Sequence, residues 1–206
     1  IDRISKKLPA AEAAELLAKL DELDGRKRQQ LAQNDFLTFI AAIDPNYKFG
    51  THLKRLGNLL MQVETNEKNR IAVSMAPRMG KSEFSSYLFP AYFLGNFPNK
   101  KIIMGTHTAG LSEDFGRRVR NLIDSEEYCE LFPQTVVADD QKAAGKWSTA
   151  AGGQYYAAGV GGALAGRGAD LFVIDDPPSE QDVKTNSRLA FDTAWSWFQT
   201  GPLQRL

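Results

Sequence analysis

Cysteine is almost missing from this chain: Cys129 is single and has no partner for an internal disulfide. Histidine is nearly as scarce, and His52 and His107 form no Cys/His cluster at metal-ligand spacing, which argues against a structural zinc site. A lone cysteine fits a reducing compartment. Charge of one sign is also missing in excess, because 25 Lys plus Arg balance 25 Asp plus Glu. This excludes coating of nucleic acid by bulk charge, although a sum cannot see a local basic groove. No apolar run is long enough to span a bilayer, since the longest uncharged apolar stretch, Phe84 to Phe97, contains Pro90 and polar residues and is too short. The N-terminus lacks an apolar signal core. With 43% hydrophobic and 24% charged residues over 206 positions, disorder is excluded and one domain with a small appendage is expected. A soluble cytoplasmic protein is expected, and a start at Ile1 rather than Met suggests a trimmed product.

The first third reads as helical. Pro9 to Leu23 carries Leu16, Leu17, Leu20 and Leu23 at helical spacing, with a stop expected at Asp24-Gly25. Further helices are predicted over Gln29–Ile43, ended by Asp44-Pro45, and over Thr51–Glu64. At Arg70 the character changes. Ile71–Met75 reads as a buried strand, Lys81–Leu94 as a helix, Lys101–Gly105 as a strand and Ala109–Ile123 as a helix. Trp147–Val160 suggests two strands around a Gly152-Gly153 turn, and Leu171–Ile174 a further buried strand. Alternating strands and helices imply an α/β core with a mostly parallel sheet covered on both faces. The expected division is a helical subdomain over residues 1–65 and the core over residues 66–206.

Between the first predicted strand and its helix lies Ala76-Pro77-Arg78-Met79-Gly80-Lys81-Ser82, a Walker A type loop in its strand–loop–helix setting. Gly80 permits close backbone approach, so successive N–H groups and the helix start can cradle phosphate. Lys81 is the candidate for the β/γ-phosphates and Ser82 for Mg²⁺. The general pattern wants glycine six positions before Lys81, where Met75 stands. A second element follows: the apolar strand Leu171–Ile174 ends in Asp175-Asp176. At the carboxyl edge of a parallel sheet, Asp175 would lie near the metal and Asp176 would orient or deprotonate water. Asp176 is a methylene shorter than the usual Glu, which leaves Glu180 open as the alternative base. Arg78, inside the loop, suits contact with a γ-phosphate in cis. Arg167, in Gly166-Arg167-Gly168, is either a solvated arginine or one presented to a neighbour's site.

With these motifs the chain resembles the ATPase domain of the large terminase subunit of tailed bacteriophages, over roughly Tyr47 to Leu206. The resemblance rests on the Pro-Arg-x-Gly-Lys-Ser loop, Gly105-Thr106-His107-Thr108-Ala109 before a helix, Trp147-Ser148-Thr149, and Gly152 to Gly162. Ala165-Gly166-Arg167-Gly168-Ala169-Asp170 leading to Ile174-Asp175-Asp176-Pro177 completes it. It implies a P-loop NTPase core of the ASCE type, with ATP and Mg²⁺ as cofactors and hydrolysis driving double-stranded DNA into a procapsid. Lys81, Ser82 and Asp175 then match phosphate and metal positions and Asp176 the catalytic carboxylate. Arg78 matches the loop arginine and Arg167 a trans-acting finger. Tyr47, Phe49 and His52 are loose candidates for the adenine contact. The implied partners are double-stranded DNA, the portal protein of the procapsid, the small terminase subunit and further copies in a ring, the isolated fragment being compatible with a monomer. No membrane is implied, and the implied location is the host cytoplasm with transient residence at the portal vertex. The end at Gln204-Arg205-Leu206 implies an ATPase fragment without the coupling strand or the nuclease domain of relatives.

Other features have plainer readings. Phe191, Trp195 and Phe198 recur at i, i+4 and i+7 and are expected to pack. Arg117, Arg118 and Arg120, like Arg26-Lys27-Arg28, are expected on solvated faces, His107 as structural and Cys129 as half-buried. Two other functions stay open: a helicase-like DNA-dependent ATPase, and a nucleotide-binding assembly module with little hydrolysis.

Overall fold

Residues 9–164 and 166–204 are described by the structure, a computed structural model, and the motif residue Ala165 falls outside them. Helix α1 runs without a break from Ala10 to Asn34, so the stop expected at Asp24-Gly25 is not made. An added Cβ at Gly25 would meet nothing, so the residue costs about 1 kcal/mol in propensity and no packing. Ion pairs one turn apart, Lys19–Glu15 at 2.7 Å and Arg26–Glu22 at 2.6 Å, flank it. The break comes instead at Asp35, whose carboxylate accepts from the Thr38 N–H at 2.7 Å and caps α2 (Phe36–Ile43). Helix α3 (Thr51–Glu64) turns Leu53, Leu56 and Leu60 inward.

Residues 71–76 do not form the strand that their apolar pattern predicts. Ile71 and Val73 are half-buried, but the segment stands off from the sheet edge across a cavity of about 270 Å³ and makes no ladder. After the loop, Lys81 and Ser82 open a helix whose next turns, Glu83–Leu88, are π-helical before α4 (Phe89–Asn96) resumes. Pro90 supplies a physical cause. It has no N–H for the Ser86 carbonyl and its ring would press on that carbonyl, so the wide turn accommodates it.

The remaining elements are β1 (Lys101–Thr106), α5 (Ala109–Ile123), α6 (Glu126–Leu131), β2 (Val137–Ala143), β3 (Lys146–Thr149), β4 (Gln154–Gly159), β5 (Leu171–Ile174), α7 (Glu180–Lys184) and α8 (Arg188–Thr200). The sheet order is β2-β3-β4-β1-β5. β1 pairs in parallel with both β4 and β5, while β3 runs antiparallel to β2 and β4. The sheet is therefore mixed rather than mostly parallel, within an α/β fold. The three parallel strands put Thr106, Gly159 and Ile174 at one edge.

One face of the sheet carries most of the core. Phe36 meets Phe84 edge-on at 5.6 Å between centroids and Phe39 meets Tyr128 at 6.0 Å, in a cluster that joins the first three helices to β1, β3 and β4. The other face is thinner, built from Ile103, Ala158, Leu164 and Trp197. There α8 docks through Ala194 and Trp197, and a Cβ on Gly105 would lie 2.8 Å from the Trp197 ring. That docking leaves two residues of the stripe expected to pack, Trp195 60% and Phe191 39%, exposed, while the third, Phe198, is half-buried and lines the cavity beside β5. Cys129 is exposed rather than half-buried. No helix among the described residues is long and apolar enough to cross a membrane.

Candidate active site

Two residues with side chains adopt positive φ in this region, Arg78 at 62° and Asp176 at 44°, and Gly80 has φ 83°. Left-handed backbone is costly for residues other than glycine and clusters at functional sites. At Gly80 a side chain is disfavoured twice, by the strain of φ and because its Cβ would lie 3.2 Å from Leu53 Cδ2 of α3, which would have to shift. The His52 Nε2 lies 3.2 Å from the Met79 carbonyl oxygen, a donor contact in the Nε2–H tautomer. The start of α3 thus buttresses the loop from behind. Ala76, Pro77, Arg78 and Met79 are exposed on it, while Lys81 and Ser82 are half-buried at the helix start. No acceptor among the described residues takes the backbone N–H groups of Gly80, Lys81 or Ser82.

The loop and the end of β5 meet. Lys81 Nζ donates to Asp176 Oδ1 and lies 3.1 Å from Asp175 Oδ1, joining residues 95 positions apart. The two carboxylates differ sharply, with Asp175 7% and Asp176 67% exposed at the side chain. Burial alone would lower the Lys81 pKa, but the hydrogen bond to Asp176 and the charge of Asp175 outweigh it and hold it above the usual lysine value. The ammonium therefore stays charged throughout the neutral range. Asp175 also accepts on Oδ2 from the Ser86 hydroxyl at 3.0 Å, and both residues are buried. Its backbone N–H bonds Gly105 O at 2.9 Å, extending the β1–β5 ladder to the carboxylate itself.

No group of three or more His, Cys, Asp or Glu side chains among the described residues could hold a metal alone. The oxygen-only pair of Asp175 and Ser82 suits a hard cation that takes its other ligands from phosphate and water. The carboxylates already hold a cation, the Lys81 ammonium, so the residues present fit Mg²⁺ arriving with a nucleotide.

The other candidates lie apart. Glu180 is 90% exposed and pairs with Lys184 at 3.6 Å. Arg167 is stacked on Tyr156, with its guanidinium carbon 3.7 Å from the ring centroid. Tyr156 pairs with Ile103 in mid-strand, three residues before the edge where Thr106 faces Gly159, so Arg167 lies on the sheet face roughly 10 Å back along the strands. Tyr47 and Phe49 meet at 5.2 Å between centroids with their rings tilted by 40°, and Tyr47 packs on Phe84 at 5.8 Å, so they fill space beside the loop helix rather than forming an open platform. Burial first, then the charges of Glu83 and Asp44, raise the Tyr47 pKa. Of the arginines expected on a solvated face, Arg118 pairs with Glu83 at 2.7 Å and covers the Tyr87 ring.

Two residues that spacing did not single out as part of the site now border it. Ser86 is one; its signal was a hydroxyl four residues after Ser82 on the same helix. Leu53 is the other, visible only through the contact it would make with a side chain at Gly80. His107 follows the end of β1, and its Nδ1 is buried with no hydrogen-bond partner among the described residues.

Comparison with known proteins finds no matching family model, no matching curated protein and no matching solved structure.

Proposed function

We propose that this chain is a Mg²⁺-dependent ATPase of the P-loop, ASCE type, and that its hydrolysis drives double-stranded DNA into a viral procapsid. The observation that carries the first part is the Lys81 ammonium, set on a glycine loop and clamped by the two carboxylates that end β5. The motor role rests on the motif resemblance to large terminase ATPase domains. With it go the proposed partners: DNA, the portal protein, the small subunit and further copies in a ring.

In this reading the free N–H groups of Gly80, Lys81 and Ser82 bind phosphate oxygens. An arriving phosphate competes for the same ammonium that Asp176 now holds. Lys81 then turns to the β/γ-phosphates, and Asp176 is freed to orient a water and accept its proton. The low exposure of Asp175 keeps its carboxylate fixed, and Asp175 with Ser82 would hold Mg²⁺. When bound, Mg²⁺ neutralises charge on the phosphates. Arg78, exposed on the loop, would contact a γ-phosphate in cis. Arg167 would serve only a neighbouring copy, because Tyr156 holds it away from its own loop.

Turnover of ATP by this chain, with and without DNA and at rising protein concentration, tests the reading. A motor that completes its site between copies shows Mg²⁺-dependent turnover rising more than linearly with concentration and responding to DNA. Turnover proportional to protein and stimulated by DNA favours the helicase-like alternative. Nucleotide binding without turnover at any concentration favours the assembly module.

A further inference from the structure

Ser86 is fully buried, and its hydroxyl donates to Asp175 Oδ2 at 3.0 Å. The opposite oxygen, Oδ1, faces Lys81 at 3.1 Å. The neighbouring Ser85 spends its own proton on the Lys81 carbonyl, at 2.9 Å, so it does not compete for the carboxylate. Ser86 lies in the π-helical turns, four residues after Ser82, so one helix carries both a proposed metal ligand and the group that holds the other. A buried carboxylate with two free oxygens could rotate about its terminal bond. One whose Oδ2 is tied presents Oδ1 in a single orientation.

We propose that Ser86 is a positioning residue of this site: by fixing Asp175 Oδ2 it keeps Oδ1 aimed at the cation position, occupied by Lys81 without nucleotide and by Mg²⁺ with it. The proposal rests on the ATPase reading above. It assigns the wide helical turn ahead of Pro90 a purpose, since that turn sets where the Ser86 hydroxyl falls.

The test is a calorimetric titration of Mg²⁺ into the full chain holding ADP, together with ADP binding in excess chelator. Loss of a group that orients a metal ligand typically weakens the metal ten- to a hundredfold. Ser86→Ala is therefore expected to raise the Mg²⁺ dissociation constant about tenfold or more, with metal-free ADP affinity unchanged. Ser86→Thr, which keeps the hydroxyl, should recover Mg²⁺ affinity to within about threefold. Ser86→Cys is close in size but a weak donor, and should fall between. A folded Ser86→Ala or Ser86→Cys chain with wild-type Mg²⁺ affinity would overturn the proposal and leave the ATPase reading standing. If the wild-type chain binds ADP with no Mg²⁺ dependence, the ATPase reading fails first, and the role of Ser86 fails with it.

Discussion

Lys81 and Arg167 are both cations flanked by glycine, and both were candidates to touch phosphate, yet the fold treats them in opposite ways. Lys81 lies where a loop meets the end of β5, and two carboxylates hold it. Arg167 belongs to the connection from β4 to β5, which passes over β1 on the thinner face of the sheet, and an aromatic ring holds it there. A carboxylate partner is exchangeable for phosphate, because both are anions competing for one ammonium. A ring under a guanidinium can be kept while the guanidinium's outer edge meets a second molecule. In the proposed ATPase reading the first acts in cis and the second, at most, between copies.

The largest expected effect breaks the first half of that contrast. Asp175→Asn should lower Mg²⁺-dependent ATP turnover on the order of a thousandfold, because the neutral amide no longer holds a dication; steady-state phosphate release measures it. Asp176→Asn should cost less, about a hundredfold, while nucleotide affinity is kept. Equal losses of binding and turnover in that variant would mean that Asp176 only positions Lys81. Arg167→Ala sharpens the second half. Turnover of the dilute chain should be unchanged, and stability should fall by about 0.5–1 kcal/mol from the lost ring contact, read by urea unfolding. At concentrations where copies associate, Arg167→Ala should lack the extra turnover that association brings, and mixing it with Asp176→Asn chains should restore part of that gain.

A further effect, on stability alone, concerns the staple at the end of the same connection. Asp170 accepts from Lys100 Nζ at 2.7 Å and from the Lys101 N–H at 2.8 Å. Burial works against its charge, but these two donors prevail and lower its pKa below the ordinary aspartate value. A carboxylate with a depressed folded-state pKa contributes stability above its unfolded value, near 4, and loses it as pH falls through the folded value. Asp170→Asn should therefore destabilise by about 1 kcal/mol at pH 7 and progressively less below about pH 4. Urea midpoints across that range check the sign.

The readable part of this protein was local. Gly80, Lys81 and the apolar strand ending in Asp175-Asp176 declare themselves because loop conformation and strand burial depend on near neighbours, and the structure brings them together. What stayed hidden depended on partners distant in sequence. The outward turn of Phe191 and Trp195 follows from Trp197 docking over Gly105, and helical period alone cannot choose between two apolar faces. The place of Arg167 follows from the path of a crossover. Strand β2 escaped because Ala138-Asp139-Asp140-Gln141-Lys142 carries no apolar alternation, and its pairing with β3 makes it a strand. The unpaired 71–76 segment shows the converse, a strand-like pattern without a neighbour to bond. Ser86 needed both failures undone at once, a helix register altered at Pro90 and a carboxylate from 89 residues away.

The central claim is that the clamped ammonium of Lys81 is a phosphate ligand waiting for its phosphate. Its most direct test is Mg²⁺-dependent ATP turnover of the wild-type and Lys81→Ala chains side by side, at a concentration where the wild type is active. Turnover in the wild type, reduced on the order of a thousandfold in a folded Lys81→Ala chain, is the predicted result. Equal turnover in the two chains would contradict it.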